Sequence, residues 1–314
     1  MDQLDNACEI LWTDCMGLKK NETALVLCDT PLRIIGNKLF DKAVELGCNP
    51  YLIEMMPLPI HGTEPAPLIA NTLKSVDVAV VPTTASLSHT HARKEANAHG
   101  TRIATLPGIT QDMMERTLNL DYDELRTRTE KIAALLTKAE VAHVMSENGT
   151  DILLSIKGRR ADPDFGIIQK SGEFGNLPAG EAYIAPLEGK SEGVFVADGA
   201  IAGIGKLDDA VTITVKEGKA VSIETCPELE EALDAHGPLA RSVAELGVGT
   251  NEKATVTGNI LEDEKAMGTV HIAMGNNLLF GGTVDVPVHL DCIILNPTLV
   301  VDETVIIENG IHVL

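Results

Sequence analysis

Along the first 140 residues, two hydrophobic periods alternate. Short apolar runs bounded by turn residues, TALVLCD (23–29), PYLIEMM (50–56), VDVAVVP (76–82) and TRIATLP (101–107), predict buried strands. Helical spacing of apolar residues fills the intervals near 31–46, 64–74, 87–98 and 110–117, and again at 122–138. Strands alternating with helices predict βαβ units and a mainly parallel sheet. Beyond residue 140 the period becomes two. HVMSENGTDILLSIKGR reads as a hairpin turning at Glu147-Asn148-Gly149. EGVFVADGAI, AVTITVKEGKAVSIET and DETVIIENGIHVL alternate around Asn-Gly or Glu-Gly turns. One helix is expected in this half, over 227–246. The predicted organisation is an α/β, Rossmann-like domain over 1–138 and a β-rich α+β domain over 139–314.

The Rossmann-like alternation carries no nucleotide signature. The loop after the first strand is CDTPLRIIG, with neither GxGxxG nor GxxxxGK[ST], so no phosphate cradle is visible. Charge narrows the partners further. With 25 basic and 46 acidic residues the chain carries −21, a field that repels phosphate backbones and anionic lipid but suits cations. Nucleic acid and membrane surfaces are therefore not expected partners, and no apolar run is long enough to span a bilayer. The N-terminal MDQLDNACEILWTD has acids where a secretion signal has bases, so a cytoplasmic protein is expected. Six cysteines without CxxC spacing then read as reduced thiols.

Candidate chemistry concentrates in the second half. His289 and Asp291 are two apart on a predicted strand, so imidazole and carboxylate project from one face. Such a pair suits Zn²⁺, Mn²⁺ or Fe²⁺, or it is a hydrogen-bonded pair that satisfies itself. His271 lies on another apolar strand that leads into a glycine-rich loop, either a core histidine or one lining a site where backbone approaches a ligand. Glu181 opens an apolar strand after Pro178 and Gly180. Glu245 ends the predicted helix, just before two glycines. Glu262, Asp263 and Glu264 read as a solvated turn. In the first half, His89 and His91 sit at a predicted helix start capped by Ser86 or Ser88. Their imidazoles diverge too far to share a metal, and Arg93 is a candidate substrate or interdomain contact.

Taken in order, SLSHTHARKEA, LPGIT, GNLPAGEAYIAP, AELGVGTN, GTVHIAMGNN and VHLD resemble the leucyl-aminopeptidase family that includes aminopeptidases T and S. The resemblance implies a metallo-aminopeptidase in which Glu181, Glu245, His271, His289 and Asp291 hold a pair of divalent ions (Zn²⁺, Co²⁺ or Mn²⁺). A carboxylate such as Glu181 then moves the proton of a metal-activated water. The same superfamily is similar to 2,5-dihydroxypyridine dioxygenases, which hold one Fe²⁺ through two histidines and a carboxylate. His271, His289 and Asp291 match that triad, so a ring-cleaving dioxygenase is the alternative, and a non-catalytic metal-binding protein the third reading. The implied partner is a small peptide or other small molecule, with a homodimer left open. Two departures from the peptidases stand out: Leu278 occupies the place of a tyrosine seven residues after the first histidine, and the chain is shorter than the usual peptidase.

Overall fold

Each apolar run of the first half forms a strand, at Ala24–Asp29, Tyr51–Met55, Val78–Val81 and Arg102–Thr105. Helices Arg33–Glu45, Pro67–Leu73, His91–Ala98 and Gln111–Thr117 alternate with them. The sheet order places 51–55 at one edge, then 24–29, 78–81 and 102–105, and every pairing is parallel. A fifth parallel strand, Phe174–Asn176, comes from far along the chain and closes the other edge. The three inner strands are buried at every residue, which explains their continuous apolar runs. Gly36 brings helix 33–45 close to the sheet, since a Cβ there would meet Cys28 Sγ at 2.6 Å.

The second half is antiparallel. Its eight-stranded and seven-stranded sheets both contribute to one buried apolar cluster. Ile152, Leu154, Phe195, Ile213 and Val215 enter it from the larger sheet, and Ile184, Leu246, Val248, Ile272 and Ile294 from the smaller. The protein is thus mixed α/β, with a parallel N-terminal sheet and antiparallel C-terminal sheets. The computed structural model describes residues 2–314, and the chain divides into two units. One holds the residues up to Tyr122 together with Gly166–Ala179; the other holds Asp123–Phe165 and Gly180–Leu314. The expected boundary at 138/139 falls inside the second unit, because helix Tyr122–Lys138 buries Ile132, Ala133 and Leu136 in that unit's core.

Two local expectations are corrected. The helix expected over 227–246 ends at Asp234, and Val243–Gly249 is a strand. Gly237, at φ +80°, and Pro238 break the helical run, and Leu246 and Val248 then alternate into the core. Helix 91–98 is capped by Thr90, whose Oγ1 accepts the Arg93 N–H, rather than by Ser86 or Ser88. Among the described residues no cysteine forms a disulfide, and no helix is long and apolar enough to cross a membrane.

His312, in the short terminal strand Ile311–His312, accepts the Gly268 N–H through Nε2 at 3.3 Å. Burial, and then the Arg128 cation, push its pKa down to about 4. Folding therefore favours the neutral ring, while the unfolded chain takes up a proton near pH 6.5. Stability from this group is complete above that pH and drains away as pH falls toward 4, by on the order of 3 kcal/mol. In urea titrations at pH 7.5 and 5, His312→Gln is expected to lose less stability between the two than the parent. An unchanged difference refutes the assignment.

Candidate metal centre

Four neighbouring strands of the seven-stranded sheet, Glu181–Ile184, Val243–Gly249, Val270–Gly275 and His289–Ile294, lie side by side in that order. Their register brings the candidates together. Glu181 pairs with Gly249 and Tyr183 with Gly247; Gly247 pairs with His271 and Glu245 with Ala273; Ala273 pairs with Asp291 and Gly275 with His289. Paired residues share a face, and faces alternate along a strand. All five candidates therefore occupy the face opposite the one that carries Leu246, Val248, Ile272 and Ile294 into the core. Glycine and alanine between them leave room. A Cβ at Gly247 would stand 2.0 Å from His271 Nε2.

The donor atoms converge. His271 Nε2 lies 3.4 Å from Glu181 Oε2 and 3.4 Å from Glu245 Oε1. His289 Nε2 lies 3.1 Å from Glu245 Oε2 and 3.3 Å from Asp291 Oδ1. The two oxygens of Glu245 thus face different imidazoles, and two donor groups, Glu181/Glu245/His271 and Glu245/His289/Asp291, share that carboxylate. Ligands about 2.1 Å from one ion and about 90–110° apart lie about 3.0–3.4 Å from each other, which is the spacing found. Glu181 Oε2 is also buried without a hydrogen-bond partner. The residues present fit a divalent metal.

His289 is fixed in orientation. Its Nδ1 is 2.7 Å from the Asn276 carbonyl oxygen, which can only accept, so Nδ1 carries a proton and Nε2 faces the acids. Phe280 packs edge-on to the His289 ring at 5.3 Å and Tyr183 edge-on to Phe280 at 5.3 Å, giving the site an aromatic side. Burial keeps the Tyr183 hydroxyl protonated, with Asp164 adding to the effect.

Burial works against charge throughout, and the neighbours decide the outcome. Burial alone would lower His271, but Glu245, Glu181 and Asp291 outweigh it and hold the imidazole up at about 9. His289 is likewise raised by Asp291 and Glu245 against its burial, and Asp291 is held well below the usual carboxylate range by His289. Glu181 is raised by burial, which Lys265 and His271 only partly offset. A metal entering this cluster displaces protons from the imidazoles.

Lys265 had no place among the sequence candidates. It is buried, with Nζ 2.5 Å from Glu181 Oε1 and 2.5 Å from Glu264 Oε1. The expected solvated turn is corrected with it. Glu262 and Asp263 are buried and accept backbone N–H groups from Thr255, Thr257 and Gly258, bracing the segment that delivers Lys265. In the first unit, Arg93 lies over the Phe174 ring at 4.0 Å and donates to the Ser88 carbonyl and Asn97. The structure accounts for this residue by packing, and Ser88 bonds Thr105 and Asn176.

The family model described as 2,5-dihydroxypyridine 5,6-dioxygenase (NicX) matches residues 15–313. The chain belongs to this family. Among solved structures, the NicX-family chain is similar to 2,5-dihydroxypyridine dioxygenase from Pseudomonas putida KT2440, at 20% identity and a TM-score of 0.81 over 99% of this chain and 96% of that one. It is also similar to wild-type AmpT from Thermus thermophilus, at 17% identity and a TM-score of 0.75 over 99% of each chain. At these identities the likeness is one of fold, and against AmpT the expected shortness is not seen. Among curated protein sequences none matches this chain. Family membership favours the ring-cleaving alternative over the peptidase reading, and a divalent metal cofactor goes with either.

Proposed function

We propose that this NicX-family chain is an Fe²⁺-dependent dioxygenase that opens a dihydroxylated nitrogen-heteroaromatic ring by adding both atoms of O₂ across a ring carbon–carbon bond. The observation that carries the proposal is the family match along nearly the whole chain, joined to two imidazoles and a carboxylate on one sheet face. His271, His289 and Asp291 would hold the ion, a set that leaves coordination positions open. When bound, ferrous iron supplies the electron-transfer chemistry that lets O₂ react with an electron-rich ring. Glu245 spans both imidazoles, with one carboxylate oxygen facing each Nε2. Tyr183 and Phe280 offer flat surfaces to an aromatic substrate. Glu181, whose Oε2 makes no hydrogen bond, takes the proton of a ring hydroxyl.

Protein stripped of metal, reloaded anaerobically with Fe²⁺ and given 2,5-dihydroxypyridine is expected to consume one O₂ per ring lost. Zn²⁺-loaded protein should be inert. A second reading, the two-metal aminopeptidase, is favoured by one observation: the carboxylate of Glu245 is shared between two donor groups. Release of amino acids from aminoacyl substrates with Zn²⁺, Co²⁺ or Mn²⁺, and no O₂ uptake with Fe²⁺, would establish that reading instead.

A further inference from the structure

We propose that Lys265 limits this centre to a single divalent ion, its ammonium standing where a second cation would otherwise neutralise Glu181. The inference rests on the reading that the cluster binds a divalent metal. The five acids and imidazoles alone have the composition of a two-ion site, because their donor groups overlap at Glu245. The three acids are not equivalent, however. Glu245 faces both imidazoles, and Asp291 faces His289, so each sits beside a potential metal ligand. Glu181 also meets an imidazole, His271, through Oε2, but it alone is ion-paired through its other oxygen, Oε1, to a lysine whose side chain is 2% exposed and is also held by Glu264 at 2.5 Å and Asp164 at 4.0 Å.

An ammonium offers three donors and no lone pair, so it stays a fixed charge and cannot join a coordination shell. An ion held by Glu181 Oε2 would sit on the same carboxylate as this charge, in a buried place where screening is weak. Among the described residues, no lysine or arginine is ion-paired to the acids at the end built from His289 and Asp291, although the Lys265 charge reaches Asp291. Glu262 and Asp263 anchor the lysine's own segment through backbone N–H groups, so Lys265 is held by the fold and does not merely lean on the site.

Ion counting tests this without reference to turnover. The full chain is stripped with chelator, loaded with excess Mn²⁺ or, anaerobically, Fe²⁺, desalted and measured by elemental analysis. The parent should retain one ion per chain and Lys265→Met two. Two ions in the parent, or one in a folded Lys265→Met protein, overturns the proposal. Removing the lysine leaves Glu181 and Glu264 buried without their cation, so Glu181→Gln provides a second route that keeps the lysine. It should retain one ion at parental occupancy, and loss of that ion would make Glu181 a ligand and overturn the proposal. A parent that retains no ion fails differently, because it removes the metal centre itself along with this inference.

Discussion

His289→Ala is expected to abolish metal retention, lowering affinity by more than about 100-fold, beyond what disturbing a mere supporting hydrogen bond does. The side chain contributes the Nε2 that lies between Glu245 Oε2 and Asp291 Oδ1, and its tautomer is set by the Asn276 carbonyl. Without it, two buried carboxylates face each other with no cation or N–H between them. The metal-free protein should therefore also lose stability, by roughly 3 kcal/mol, the scale for breaking a buried pair from one side. The chain should still fold, because the imidazole is partly exposed and lies on the sheet face away from the core. Elemental analysis after desalting and urea titration of the stripped protein read the two effects separately. Parental metal content in the variant would show that the centre is wrongly drawn.

The part of this centre that could be read from sequence is the part whose surroundings are local. Glu181, His271, His289 and Asp291 stand out because strands that are otherwise apolar hold few polar groups without reason. The parallel sheet was legible for a related cause: strands covered on both faces print as unbroken apolar runs, and helices print as a different period. Strand Phe174–Asn176 escapes because Phe-Gly-Asn, three residues with a single apolar side chain, carries no period, and its place is fixed by pairing with Arg102–Thr105. Lys265 was hidden in the run Glu262-Asp263-Glu264-Lys265, which reads as solvated charge. Its burial comes from Glu181, a partner 84 residues away. The apolar spacing over 227–246 places Glu245 in a helix, although Gly237-Pro238, a clear break, lies inside the segment. Local composition marked which residues were unusual, but only the register of four strands made them neighbours.

That register gives Gly247 a role no local pattern suggests. Gly247→Ala is expected to cost metal affinity about as much as losing His271, and to destabilise the protein by about 1–3 kcal/mol, the range for overpacking. Alanine suits the backbone at this position, since Gly247 is not among the glycines with positive φ. The damage comes from one contact. The added methyl would meet His271 Nε2 at 2.0 Å and Cε1 at 2.1 Å, and the ring is 1% exposed, so it has little room to swing away. A displaced imidazole no longer points Nε2 at Glu181 and Glu245, which are its neighbours on that face. Coupling makes the cause measurable. In a His271→Ala background the space beside residue 247 is already vacated, so Gly247→Ala should cost little further stability and no further metal affinity. A double-mutant cycle in urea is expected to show a coupling of at least about 1 kcal/mol between the two positions, as for residues in direct contact. Additive effects would mean that the glycine acts through the strand backbone, and that His271 is not held in place by the absence of a side chain opposite it.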